Sequence, residues 1–212
     1  MHYLYYILGV CLLVVPAGLV SRRQLRVISL PELADRARHR LGWLHWVNLI
    51  DLLRAWGGLQ LVRHAFAIID PAAASSMLPL VTTAIAALAG LGLQQVFHSA
   101  DEDDLVAPVA YAVGLTLAFI PPIVALLTLP IGLIAALGLR SLGTGFVLAA
   151  AATAALGLLL RLPTLVVATT SLLLFTPALL AAVLQRRLVI TVRNRKELRS
   201  EPLREIPIRS SR

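Results

Sequence analysis

The chain has 212 residues, of which 58% are apolar and 14% are charged, and its mean hydropathy is +0.84. Soluble domains are about 45–50% apolar and about 25% charged. This composition therefore excludes a soluble globular protein, and the same numbers exclude a disordered one. Several apolar runs are long enough to cross a bilayer, so we interpret the chain as an all-α integral membrane protein, a polytopic helical bundle.

The net charge of +8 is unevenly distributed along the chain. Basic residues dominate 21–69 and 186–212, whereas 70–104 carries only acidic charges. Basic loops stay on the cytoplasmic side, so the charge indicates membrane topology and no nucleic-acid partner. We expect a cell-membrane protein with an outside N-terminus and a cytoplasmic C-terminus. Arg outnumbers Lys eighteen to one, which indicates GC-rich coding and favours a bacterial inner membrane.

The first predicted span is the apolar run 3–20, which Arg22 and Arg23 follow directly. A cleaved signal peptide carries its basic residues before the apolar run, so we expect an uncleaved span. Ser29-Leu30-Pro31-Glu32 then has the pattern of a capping box. It predicts the start of a helix that continues to about residue 69.

The segment 30–69 is predicted to form an amphipathic helix, which lies at the membrane interface over about residues 31–69. Its three Trp share one face with Leu and Ile side chains, and polar residues lie on the other face. The polar face is a ladder of four residues at steps of three: His45, Asn48, Asp51 and Arg54. Asp51 and Arg54 can pair within the helix. We expect this ladder to have a structural role, either as the solvent-exposed side of a surface helix or as an internal ion pair. If the protein is instead a transporter, the four members of the ladder are the candidates for substrate binding.

Four further apolar segments follow: 77–97, 105–139, 142–160 and 164–185. A helix of 35 residues is about 52 Å long, far more than the hydrocarbon core of about 30 Å. The segment 105–139 must therefore break, and Pro121-Pro122 together with Pro130 supplies the break. It forms either two short spans or one kinked span with a re-entrant piece.

The number of membrane crossings links the assignment of 41–69 to that of 105–139. With basic segments after the first span and in the tail both in the cytoplasm, the number of crossings is odd. Five spans result if 41–69 lies on the surface and 105–139 crosses once, and seven result if 41–69 crosses once and 105–139 crosses twice. We favour five, because that topology leaves the acidic loop 98–104 outside.

Small residues recur at every fourth position on one predicted helix face: Gly145, Ala149, Thr153 and Gly157. Small residues let helix backbones approach closely in a membrane. We interpret this face as a helix-packing surface, either within the bundle or against another membrane protein, including self-association.

No sequence motif for catalysis is found, since the chain lacks a nucleophile elbow, a zinc-protease motif and a P-loop. The acidic cluster 101–104 lacks the spaced ligands of a calcium loop, so we expect no metal site and no cofactor. The favoured function is a non-catalytic packing protein or complex subunit. The alternative is a small permease, because broken helices and intramembrane polar residues line transport sites.

The tail 186–212 is basic, with nine basic residues against three Glu. We expect it to bind anionic lipid at the cytoplasmic surface. The β-leaning stretch 188–192 offers a second interpretation, in which it adds as a strand to the sheet of a partner.

Overall fold

The computed structural model describes residues 2–16, 25–28, 46–69, 77–97 and 104–193, with seven helices and three short strands in these ranges. The helices are α1 (His2–Val14), α2 (Trp46–Ile69), α3 (Met77–Phe97), α4 (Val109–Phe119), α5 (Pro122–Gly138), α6 (Leu142–Leu159) and α7 (Thr164–Val183). The strands are β1 (Leu25–Ile28), β2 (Asp104–Val106) and β3 (Arg187–Arg193).

The fold is predominantly helical, as the sequence predicts. Three helices, α3, α6 and α7, are long and apolar enough to cross a membrane. The helices α1, α4 and α5 are also apolar but shorter, with 13, 11 and 17 residues. The predicted five-span bundle thus has three candidate crossings by length and composition.

The segment 105–139 contains a strand and two helices, and the helices are separated at Ile120-Pro121. In an uninterrupted helix, the carbonyl of Leu117 would accept from residue 121 and that of Ala118 from residue 122. Both of those residues are Pro and have no N–H to donate. The double Pro therefore ends α4, and it also starts α5, where its fixed φ suits the first turn.

Three helices end in one hydrogen-bonding motif that turns the chain sharply. Its left-handed residue, with φ between 50° and 55°, is Arg140 after α5, Arg161 after α6 and Gln185 after α7. After α5, the N–H of Arg140 donates to the Leu137 carbonyl and the N–H of Ser141 to the Ala136 carbonyl. These two bonds define a Schellman motif. The turns leave α6 packed between α5 and α7.

A three-stranded sheet of order β1-β3-β2 joins distant parts of the chain. β3 is antiparallel to β1, with Leu25 opposite Arg193, and parallel to β2, with Asp104 opposite Arg187. Residues 188–192 therefore pair within their own chain, in contrast to the predicted pairing with a partner's sheet. This pairing holds the start of the predicted tail 186–212 against the helices, where Leu188 and Ile190 pack on α6 and α7.

The helix α2 is oriented differently from the expected surface helix. Leu53 and Trp56 on its apolar face are 52% and 45% exposed, whereas Arg54 on its polar face is only 5% exposed. The polar face thus points into the bundle, against α1 and α4. A solvent-exposed polar face is wrong for Arg54, because its side chain is buried and donates to the Asp51 carboxylate and to backbone carbonyls of residues 12 and 15. Residues 31–45 of the predicted helix lie outside the described residues.

Candidate functional site

Four helices meet at a group of buried polar side chains, which we call the polar cluster: Asp51 and Arg54 of α2, Gln94 of α3 and Tyr111 of α4. Three of them are almost fully buried, with Arg54, Gln94 and Tyr111 at 5%, 4% and 0% exposed. The fourth helix, α1, contributes only backbone carbonyls. The cluster lies near the end of α1 and the start of α4, toward the sheet.

Arg54 is the centre of the polar cluster. Its Nε donates to Oδ1 of Asp51 over 2.6 Å. Its Nη1 donates to the carbonyl of Leu12 over 2.8 Å and also to the carbonyl of Val15. The cation is therefore paired with a carboxylate and with two carbonyls at the C-terminal end of α1, where the helix dipole also favours positive charge.

The sequence explains why α1 needs this partner. The Leu12 carbonyl would normally accept from the backbone nitrogen of residue 16, but residue 16 is Pro. A helix end buried without a partner for its carbonyls is costly. The guanidinium group of Arg54 supplies the missing donor.

The remaining members complete the polar cluster. Gln94 Nε2 donates to the same Asp51 oxygen over 2.8 Å, and the Tyr111 hydroxyl donates to the Leu13 carbonyl over 2.7 Å. Arg54 Cζ lies 4.6 Å from the centroid of the Tyr111 ring, which is a cation–π distance. Gly90 makes room for these contacts, because a Cβ there would lie 2.0 Å from the Leu13 oxygen.

A second cation, the half-buried Arg63, lies further along α2. Its Nη1 donates to the Ala118 carbonyl over 2.7 Å, and its Cζ lies 5.5 Å from the centroid of the Phe119 ring. Ala118 is the residue whose carbonyl loses its helical partner at Pro122. Arg63 therefore caps α4 at the break, in the same way as Arg54 caps α1.

Most of the hydrogen bonds in the polar cluster join protein groups to one another. Asp51 accepts from Arg54 and Gln94, and the described part of the chain shows no further contact to a carboxylate for Arg54. Two buried polar atoms, Arg54 Nη2 and Gln94 Oε1, have no hydrogen-bond partner among the described residues. One is a donor and the other an acceptor, so the cluster keeps one unused donor and one unused acceptor in the interior.

The predicted site residues separate into two groups. Of the polar ladder, Asp51 and Arg54 are brought together, Asn48 is half-buried on the same helix, and His45 lies outside the described residues. Sequence reasoning missed Gln94, Tyr111 and Arg63. The signals were present, since each of the three is a polar or ionisable residue in an apolar segment. In addition, Arg54 and Arg63 each donate to one carbonyl that lies four residues before a Pro.

The predicted packing residues are buried on α6 and divided between two neighbouring helices. A Cβ on Gly145 would lie 2.6 Å from the Ala136 Cβ of α5, and a Cβ on Gly157 would lie 2.7 Å from the Val167 side chain of α7. Ala149 lies against Gly132 of α5, and Thr153 is fully buried. This face is used within the chain.

Among the residues that the structure describes, no group of three His, Cys, Asp or Glu side chains could hold a metal ion. Residues 101–103 of the acidic cluster lie outside the described ranges, and Asp104 is opposite Arg187 in the sheet. Comparison of the chain with protein-family models, with curated proteins and with solved structures finds no match.

Proposed function

We propose that the chain is an integral protein of the cell membrane, with the sheet at the cytoplasmic surface, and that it serves as a non-catalytic packing subunit of a membrane complex. The observation that carries the membrane arrangement is the sheet. Its strands come from the beginning, middle and end of the chain, and strands of one sheet at a membrane surface share a side. An even number of crossings must therefore separate β1 from β2, and β2 from β3.

The helices satisfy this requirement if α2 crosses the membrane. Then α2 leads away from the sheet and α3 returns to it before β2. The polar cluster supports this path, because it joins the end of α1, the first half of α2, the end of α3 and the start of α4. With 24 residues, α2 is about 36 Å long, which is sufficient for the hydrocarbon core of about 30 Å.

The pair α4–α5 begins and ends on the sheet side. Val109 follows β2 closely, and the start of α6 lies near β3, since a Cβ on Gly143 would lie 3.9 Å from the Leu188 side chain. With 11 residues, α4 is about 16 Å long, too short to cross alone. We therefore place the turn at Pro121 inside the membrane, as a re-entrant pair, where the Pro121 carbonyl accepts from Val124 and Ala125. Backbone groups in a membrane need such internal partners.

This topology differs from the five-span arrangement favoured by charge alone. It has five complete crossings, α1, α2, α3, α6 and α7, with the re-entrant pair between α3 and α6. In this topology, segment 70–76 is on the outside, and the acidic loop 98–104 and the basic tail are both on the cytoplasmic side.

The non-catalytic assignment rests on the hydrogen bonds that the charged side chains of α2 make. Ionisable residues within a membrane mark transport or catalytic sites by default. Here Arg54 and Arg63 donate to helix-terminal carbonyls, and Asp51 accepts from two donors. These bonds hold helices together, so the polar cluster supports a structural role over the permease alternative.

A contact with a partner is supported by Trp56. It is 45% exposed near the middle of α2, about 15 Å from the start of the helix and about 20 Å from its end. Trp in membrane helices concentrates at the headgroup level, whereas an outward Trp at mid-depth fits a protein interface, in which Trp is enriched. The small-residue face of α6 already packs against α5 and α7 of the same chain. We therefore assign the contact with a partner to the exposed face of α2.

Labelling of single cysteines tests the topology. In a Cys11→Ala background, Ala72→Cys should react with an impermeant maleimide added outside intact cells, and Asp101→Cys should react only after the membrane is opened. Arg140→Cys and Arg161→Cys are the matched controls, because both topologies place them inside and outside, respectively. The reverse pattern at 72 and 101 would contradict the proposal.

Site-specific photo-crosslinking tests the role. A photoreactive residue at position 56 should form an adduct with one protein at a defined mass in native membranes. The same residue at position 134, which is 69% exposed on α5, should react only with lipid. Lipid adducts alone at both positions would refute the complex.

A further inference from the structure

An apolar groove separates α4 from α5. It has a volume of about 310 Å³, and all of its lining side chains are apolar. It forms because α4 packs on α2 and α7, whereas α5 packs on α6, so the two helices diverge from their common turn at Pro121-Pro122. Its lining includes Val109 of α4, Leu126, Leu133 and Ala136 of α5, and Leu142 of α6.

The chemistry of the lining selects the kind of occupant. A polar ligand would lose its hydrogen bonds with water and gain none here, and water itself needs polar partners to stay in a cavity. A hydrocarbon chain has no such requirement. The groove is accessible from the bilayer, because Leu126 and Leu133 on its rim are exposed.

The length of the groove matches one leaflet. From Leu126 to Ala136, α5 rises about 15 Å, half of a hydrocarbon core of about 30 Å. The groove starts beside the sheet, at Val109 and Leu142, and ends near the re-entrant turn. Its direction and depth are therefore those of an acyl chain in the cytoplasmic leaflet.

A basic residue lies at the sheet-side end of the groove. Arg140 is exposed, and it lies in sequence between Ala136 and Leu142, which both line the groove. The Schellman motif fixes its backbone, since the Ser141 N–H is bonded to the Ala136 carbonyl. No ion pair of Arg140 is found with any carboxylate that the structure describes. A guanidinium group binds phosphate oxygens through two parallel hydrogen bonds.

We propose that this groove is a binding site for an anionic phospholipid of the cytoplasmic leaflet, with one acyl chain between α4 and α5 and the phosphate bonded by Arg140. The inference rests on the proposed membrane embedding. It does not depend on the partner at Trp56, and the cysteine-labelling pattern tests the embedding independently.

Native mass spectrometry of the full chain tests the acyl site. The protein is released from detergent after equilibration with phosphatidylglycerol or with phosphatidylcholine of the same acyl chains. Leu133→Trp fills the groove and should lower retention of both lipids about tenfold, because burying even a few methylene groups contributes that much. Ile134→Trp is the matched control, since it lies next along α5 and outside the groove, and it should retain both lipids. Equal retention in the two variants would overturn the proposal.

The headgroup contact has its own matched pair. Arg140→Gln should lower retention of phosphatidylglycerol about fivefold and leave phosphatidylcholine nearly unchanged. Arg161→Gln removes an Arg from the equivalent turn at the opposite end of α6 and should have no effect. Equal effects of the two substitutions, or no preference of the unaltered protein for phosphatidylglycerol, would overturn the assignment of Arg140. A normal labelling pattern alongside either negative result would leave the topology standing.

Discussion

At the scale of single residues, two Arg side chains replace backbone donors that Pro removes. Arg54 bonds the Leu12 carbonyl, four residues before Pro16, and Arg63 bonds the Ala118 carbonyl, four residues before Pro122. In apolar surroundings, an unpartnered carbonyl costs free energy that water cannot offset. A long side chain with several donors, carried by a neighbouring helix, provides the missing bond.

Removing Arg54 should destabilise the protein strongly. Arg54→Met leaves the Asp51 carboxylate without its cation and the α1 carbonyls without a donor, so we expect a loss of about 3 kcal/mol or more. The double variant Arg54→Met, Asp51→Leu should lose less than Arg54→Met alone, because no uncompensated charge remains. The measurement is reversible unfolding in mixed micelles, and strictly additive losses would contradict a coupled pair.

The Arg63 cap can be tested by restoring the donor that Pro122 lacks. Arg63→Met should cost about 1–3 kcal/mol, because the Ala118 carbonyl loses its partner. In a Pro122→Ala background, the residue at 122 has an N–H, and the same substitution should cost less. Unfolding free energies of the four proteins give the comparison. An equal cost in both backgrounds would mean that Arg63 does not act as a cap.

At the scale of elements, the contact between α5 and α6 depends on two facing Gly. A Cβ on Gly132 would lie 2.7 Å from the Ala149 Cβ, and a Cβ on Gly145 would lie 2.8 Å from the Gly132 oxygen. Such approaches bring helix backbones together, which replaces the hydrophobic driving force that lipid does not provide. This contact also forms one wall of the groove.

Adding a single methyl group at this contact should push α5 and α6 apart. Gly145→Ala forces a shift against backbone and should cost about 1–3 kcal/mol. Gly138→Ala, at the end of α5 where a Cβ meets nothing within 4 Å, should be neutral or slightly stabilising, since Ala favours helix over Gly by about 1 kcal/mol. Thermal unfolding in detergent compares the two. Similar effects at both positions would show that the close approach is not required.

At the scale of the whole molecule, the sheet joins parts of the chain that are far apart in sequence. β3 follows α7, β1 follows α1, and β2 links α3 to α4. Because β3 is the central strand, pairing of the chain's last described segment is required before the first and middle segments are held together. The places of β1 and β2 in the sheet therefore depend on β3.

Cross-linking tests this pairing directly. Neighbouring strands are about 4.8 Å apart, within the range that a disulfide spans. In a Cys11→Ala background, Asp104→Cys with Arg187→Cys, which are opposite in register, should form a disulfide on mild oxidation. Asp104→Cys with Arg161→Cys, at the far end of α6, should not. Failure of the first pair while the second reacts would contradict a common side for β2 and β3.

The sequence by itself determined the helical class, the break at Pro121-Pro122 and the pairing partners Asp51 and Arg54. These features follow from composition, from the missing N–H of Pro and from helical spacing, which are all local. It also indicated that Gly145 and Gly157 lie on a packing face, although the choice between a neighbour within the chain and a partner needed the fold.

Only the tertiary structure decided which way α2 faces and what its charges bond. The apolar and polar faces of α2 are visible in the sequence, but a surface helix and a crossing helix share that pattern. They differ in what covers the polar face, and here the covering groups are carbonyls of α1 and the side chain of Gln94. Likewise, no local signal joins β1, β2 and β3, because strand pairing across 80 residues or more depends on where the intervening helices return. That return brings the three strands together in one sheet.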